Sequence, residues 1–223
     1  MVYAAIARGR TLTLRVSGLL WNRSLVMEDM ETHSEWSHIL GECMKGKFKG
    51  AKLTKIPSEM VTWGDWLARH PKTTVLNMRR TSRAYGAHYY RDRSRFVLGL
   101  VIGGTAKAWP FDVLTRERII LDVLSGVPLL ITYDNKSTRA TVFSRMFERE
   151  IPEKETTEKV TLFFYYDPDT GALKDKLTHS TWDPAAGKAI AGKLKGTQLA
   201  VLPGVVSYRQ AWRIFHPASG IAQ

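Results

Sequence analysis

One cysteine, Cys43, is all that 223 residues contain. An internal disulfide is therefore impossible and a cysteine-based zinc site is excluded. Long apolar runs are also missing. The best, Phe96 to Ile102 and Val127 to Ile131, fall far short of the ~18 residues a membrane span needs and read as buried strands. The N-terminus shows no hydrophobic stretch before a small-residue cleavage site, so no signal peptide is expected. Acidic residues are the scarcer charge, 21 against 33 Lys and Arg, for a formal net charge of +12. Residues 1–96 carry 17 basic and 8 acidic side chains (+9), and residues 97–223 carry 16 and 13 (+3). A field of this sign favours acidic partners, whether nucleic acid, anionic lipid or an acidic protein surface. With 44% hydrophobic and 24% charged residues the composition is that of a folded globular protein.

What is present is a repeat. Thr32-His33-Ser34-Glu35-Trp36 returns 146 positions later as Thr178-His179-Ser180-Thr181-Trp182. The spacing then holds without a gap: Asp29 with Asp175, Gly41 with Gly187, Gly46 with Gly192, Leu53 with Leu199, Trp66 with Trp212, His70-Pro71 with His216-Pro217. Two copies at fixed spacing imply two copies of one structural unit, of the kind that pack about a pseudo-twofold axis. Residues 1–77 form the first unit, 78–95 a connector, and 96–223 the second unit.

Local patterns fill in the elements. Thr11 to Val16 alternates as a strand, Asn22 marks a turn, and Leu25 to Met27 is a second strand. Gly41 to Gly50, with three glycines and three lysines, is expected to turn like a hairpin with its lysines in water. Thr62 or Ser58 is placed to cap a short helix carrying Trp63, Trp66 and Leu67 on one face, and Ser207 to cap its counterpart. Pro110 anchors a helix to about Arg118, followed by strands over Ile119 to Val123 and Pro128 to Tyr133. Met146 to Lys159 reads as an acidic surface loop, inserted where the first unit has only Gly9-Arg10. The fold expected is mainly β with a few short helices: duplicated antiparallel units, the first incomplete.

The candidate sites follow from the repeat. Asp29, His33 and Ser34, and again Asp175, His179 and Ser180, offer the residue types of an acid–base relay. Alternation of side chains argues against a Ser–His contact, and the competing reading is a turn in which Asp and Thr bond backbone N–H groups and Trp anchors the core. His33 and His179 are metal candidates only if the axis brings them together. His70 and His216 sit where a helix dipole favours a cation and an imidazole can bond a free carbonyl. Cys43, matched by Ala189, reads as a small buried hydrophobe. The glycine-rich lysine stretch lacks the Gly-Lys-Ser/Thr of a phosphate loop. The connector residues Arg79, Arg80, Arg83, Tyr85, Tyr89, Tyr90, Arg91, Arg93 and Arg95 suit a protein interface, or stacking and phosphate pairing with single-stranded nucleic acid.

These runs resemble one family, the domain of unknown function 3179. The likeness is carried by Ser17-Gly18-Leu19-Leu20-Trp21-Asn22, by Leu25-Val26-Met27 with Asp29, and by Thr62-Trp63-Gly64-Asp65-Trp66 through Ala68-Arg69-His70-Pro71. In the second half Val97-Leu98-Gly99, Gly103-Gly104 with Ala106-Lys107-Ala108 and Pro110-Phe111, and Gly126 with Pro128-Leu129-Leu130-Ile131 carry it. The resemblance spans residues 8 to 220 and implies a bacterial, often exported protein with no assigned catalytic residues. The family pattern more often has glycine where His33 and His179 stand. It often carries a Cys-Pro-Leu motif in the segment before the repeat, where this chain reads Ile131-Thr132-Tyr133 in the second unit and has no equivalent in the first. Thiol or metal chemistry resting on that motif is not expected here, nor is any cofactor.

The first unit lacks the front segment that Phe96 to Arg145 gives the second. A β-rich unit short of two or three strands exposes edges and part of its core, which invites another chain. The expected function is a non-catalytic binding or accessory subunit, docking through its basic first half and open edges on a larger assembly or on itself. The alternatives are a hydrolase-like or small-ligand enzyme at the pseudo-twofold cleft and a nucleic-acid-binding module.

Overall fold

The computed structural model describes residues 1–75, 92–151 and 156–223. In the first unit β1 (Val2–Tyr3) is followed by a tight hairpin of β2 (Ile6–Ala7) and β3 (Arg10–Thr11). Arg8 and Gly9 turn that hairpin with positive φ at both positions, the backbone a two-residue loop needs. Next come β4 (Leu14–Trp21), β5 (Ser24–Asp29), β6 (Glu35–Ser37) and β7 (Cys43–Lys45), an antiparallel meander in chain order. β8 (Lys55–Ile56) pairs with β1, and α1 (Trp63–Arg69) closes the unit. The expected strand over Thr11 to Val16 is therefore split, β3 ending at Thr11 and β4 running from Leu14 to Trp21. Trp36, Cys43, Phe48 and Leu53 form the core with Ala7 and Leu12.

The second unit opens with a 3-10 turn at Arg93–Arg95 and the hairpin β9 (Phe96–Ile102), β10 (Thr105–Pro110). α2 (Phe111–Glu117) leads to the sheet of β11 (Ile119–Leu124), β12 (Val127–Asp134) and β13 (Arg139–Ser144). Every residue of β13 is buried, although Arg139, Thr141 and Ser144 hid it from an apolar-pattern reading. β14 (Met146–Ile151) and β15 (Thr156–Thr161) pair in register, so the stretch expected as an acidic loop is a hairpin. It is the longer form of β2–β3. A second meander follows: β16 (Phe164–Tyr166), β17 (Leu173–Asp175), β18 (Thr181–Asp183) and β19 (Lys188–Ala191). β20 (Val205–Tyr208), α3 (Arg209–Phe215) and β21 (Gly220–Ile221) end the chain's ordered elements.

The duplication is visible atom by atom. Gly41 has φ 68° and Gly187 65°; Gly46 has 100° and Gly192 89°. A Cβ on Gly41 would come within 2.4 Å of the Tyr3 ring, and one on Gly187 within 2.4 Å of the Phe143 ring. Tyr3 thus stands in the place of Phe143. Ala4 N–H donates to Thr54 O and Ser144 N–H to Ala200 O, both at 2.9 Å. The first unit accordingly begins at the counterpart of the end of β13. What has no counterpart in it is β9 to β12, α2 and most of β13, more than the two or three strands expected.

This difference governs the two helices. β20 pairs with one edge of the β9–β10 hairpin and β21 with the other, giving the order β20-β9-β10-β21. Trp212 of α3 lies across the hairpin: a Cβ on Gly99 would meet its ring at 2.2 Å. Among the described residues no hairpin packs on the corresponding residues of the first unit, 59–62, α1 and 74–75.

Candidate functional site

α1 reproduces α3 closely. Trp66 and His70 rings are 4.2 Å apart, as are Trp212 and His216. Trp66 Nε1 donates to Thr73 Oγ1 at 3.0 Å, and Trp212 Nε1 to Ser219 Oγ at 2.8 Å. Their C-cap residues His70 and His216 have φ, ψ of −131°, 67° and −133°, 65°. Thr62 caps α1, its Oγ1 accepting from Asp65 N–H at 3.3 Å. Ser207 does not cap α3; Tyr208 holds that position without a side-chain bond. Burial is where the two part. Trp212 is 0% exposed, whereas α1 buries no residue. One side of Trp66 faces the second unit, sharing a cavity of about 460 Å³ with Leu98, Val142 and Leu202. Around it Met60 (44%), Trp63 (52%), Leu67 (40%) and Val75 (65%) are exposed. Among the described residues, no strand pairs with 59–62 or 74–75.

The repeated Asp-Thr-His-Ser-Trp element is a structural turn in both copies. Asp29 Oδ1 accepts from Thr32 N–H and Oγ1 at 2.6 and 2.7 Å, and Oδ2 from Trp36 Nε1 at 2.9 Å. Asp175 takes the same bonds from Thr178 N–H and Trp182 Nε1 at 2.6 and 3.0 Å. Burial alone would raise the Asp29 pKa, but the bonds from Trp36, Thr32 and Ser34 outweigh it and hold the carboxyl below its ordinary range. His33 and His179 occupy the left-handed region at φ 57° and 54°. A glycine adopts that backbone most readily and a histidine tolerates it. Ser34 and Ser180 are fully buried and bond Thr32 and Thr178, not the imidazoles. The His33 ring instead meets Glu28 Oε1 at 2.7 Å, lowering the Glu28 pKa, and the His179 ring meets Tyr165 Oη at 3.1 Å. The relay geometry is absent, each imidazole is bonded within its own unit, and no cluster of three metal-binding side chains occurs among the described residues.

The remaining candidates resolve individually. Cys43 is buried, donates to Lys45 O at 3.3 Å, and has its thiol pKa raised chiefly by burial, so it packs as an unreactive hydrophobe. Lys45, Lys47 and Lys49 face water. His216 is not a cationic cap. Burial first, and Lys55 second, lower its pKa to about 4, and its Nε2 is buried without a partner. Arg79, Arg80, Arg83, Tyr85, Tyr89, Tyr90 and Arg91 lie outside the described residues. Arg93 donates to Thr115 and Asn135 and so belongs to the second unit's packing. Arg95 stands over the Tyr208 ring at 5.8 Å.

Sequence reasoning missed a large concavity among the described residues. A cleft of about 1140 Å³ opens between the units, lined from the first by Asn22 to Leu25, His38 and Ile39, and from the second by Val206 to Ala211, Arg213 and Ile214. Four arginines, Arg23, Arg95, Arg209 and Arg213, line it together, with no Asp or Glu. The available signal was the comparison of the two helices: α3 has Arg209 and Arg213 where α1 has Trp63 and Leu67.

The family described as "Protein of unknown function (DUF3179)" matches over residues 1–95 and again over 87–222. No curated protein and no solved structure matches the chain. The chain belongs to the DUF3179 family, and the two-part match agrees with the duplicated β unit. No helix among the described residues is long and apolar enough to cross a membrane.

Proposed function

We propose that this protein is a non-catalytic binding subunit whose first unit docks a β-hairpin supplied by another polypeptide. One observation carries the reading. Among the described residues the first unit has the parts that in the second unit grip a hairpin, namely the segment 59–62, the helix with its tryptophan and the segment 74–75, and no strand pairs with them there. Exposed strand edges and an apolar surface are the two features that recruit a strand from another chain, and main-chain pairing would give the affinity. The hairpin this face fits has the β9–β10 pattern: apolar strands with a glycine under the tryptophan, since any Cβ at Gly99 would collide with Trp212. The source is a second copy of this chain or a separate protein of acidic surface, attracted by the +9 charge of residues 1–96.

A photo-crosslinking amino acid at Val75 or Met60, in the protein held in its native cellular setting, tests this. Mapping the cross-linked peptide should identify an apolar hairpin with a small central residue on another polypeptide. Cross-links confined to the same chain, together with a monomeric native mass, would overturn the reading.

A further inference from the structure

We infer that the arginine-lined cleft between the units binds a phosphorylated small molecule with an apolar or aromatic body, of nucleotide size. The inference is independent of the hairpin-docking reading. Ion pairs are common elsewhere in the molecule: Arg15 with Glu28, Arg69 with Glu59 and Asp65, Lys107 with Asp122, Lys174 with Asp167. The acids are spread so that many basic groups have one. In the cleft they are withheld. Arg23, Arg95, Arg209 and Arg213 have no carboxylate within ion-pair distance among the described residues. Arg209 also has its Nε buried without a hydrogen-bond partner. Two acids stand near it: Asp92 accepts from the Ser94 hydroxyl, and Asp112, with a buried, unpartnered oxygen of its own, lines a smaller neighbouring cavity with Arg209 and Arg213; neither is within ion-pair distance of the four arginines.

Like charges gathered in a concavity without counter-charges are unfavourable to the empty protein and favourable to an anion. Guanidinium forks match phosphate oxygens two at a time. Ser24 adds a hydroxyl at the same wall. Leu25, Ile39, Val206 and Ile214 give the cleft an apolar lining that an inorganic ion alone would leave uncovered. The volume suits a small molecule, not a wrapped polymer. Because Arg23 comes from the first unit and Arg209 and Arg213 from the second, the cleft exists only in the duplicated chain.

Isothermal titration of the full chain with ADP, pyrophosphate and adenosine tests this. ADP should bind in the micromolar range, at least ten-fold tighter than pyrophosphate or adenosine. Arg23→Gln, Arg209→Gln and Arg213→Gln should each weaken it about ten-fold or more, with thermal unfolding unchanged. Lys195→Gln, outside the cleft, should leave affinity unaltered. The inference is overturned if ADP fails to bind at millimolar concentration, or if binding survives the triple arginine variant. It is equally overturned if pyrophosphate matches ADP, or if a twenty-nucleotide single strand binds more tightly than ADP.

Discussion

α1 and α3 are the same helix in two situations. Their C-caps agree within a few degrees, and the tryptophan–histidine stack and the tryptophan hydrogen bond are retained in both. Around α3 the hairpin β9–β10 removes Trp212 from water; around α1 no equivalent hairpin covers Trp66 among the described residues. Local sequence therefore sets the helix and its cap, while burial depends on what the chain supplies for it to rest on. The charges differ in the same sense. Where α3 turns Arg209 and Arg213 into the cleft, α1 presents Trp63 and Leu67 to solvent. One unit is closed on its own core and holds its arginines in a cleft; the other is open and apolar.

The sharpest way to break this comparison is to truncate the two tryptophans. Trp212→Ala empties a filled site over Gly99 and should cost about 3–5 kcal/mol in denaturant unfolding. Trp66→Ala should cost less than about half of that in the isolated chain, because part of its ring is already in water. It should instead abolish the cross-links from Val75. Equal costs would mean that α1 is as fully supported as α3 and would remove the argument for a docked hairpin.

Much of this was legible in the chain. The 146-residue spacing carried the duplication because both units use the same turn geometry, down to left-handed His33 and His179 and glycines at Gly46 and Gly192. The helix around Trp66 was readable from Thr62 and the i, i+3, i+4 apolar set. β13 was not, because a strand covered on both faces need not alternate, and Arg139, Thr141 and Ser144 interrupt its apolar pattern. The β14–β15 hairpin was hidden by its glutamates, whose charge suggested a loop although backbone pairing is indifferent to it. The cleft was illegible for a different reason: its arginines are scattered from position 23 to 213 and meet only through the packing of one unit on the other.

A smaller effect separates the turns from the helices. Asp29→Asn and Asp175→Asn each disturb a buried set of three or four hydrogen bonds, and each should cost about 1–3 kcal/mol. The two costs should be similar, since the two turns share the same bonds from threonine and tryptophan to the buried carboxylate. The wild-type dependence on acid sharpens the point. Asp29 has a folded pKa below its unfolded one, so its contribution is present above the unfolded value and fades as pH falls through the folded one. In Asp29→Asn the part of the acid slope belonging to this residue should vanish. A slope left unchanged would show that the carboxyl is not ionised in the fold.

The smallest expected effect lies at the helix ends. His216 is held neutral, with a folded pKa of about 4, first by burial and then by Lys55 of the first unit. Between the ordinary histidine value near 6.5 and 4, the unfolded chain takes up a proton that the folded chain refuses, so stability falls as pH drops through that window. The ring is only partly buried, so the loss should be about 1 kcal/mol, not the full value of the shift. His216→Gln should flatten the unfolding free energy between pH 6.5 and 4. An NMR titration should place the His216 midpoint near 4, and Lys55→Gln should raise it. A midpoint near 6.5, insensitive to Lys55, would mean that the end of α3 does not rest on the first unit, and the closed half of the comparison would lose its contact with the open one.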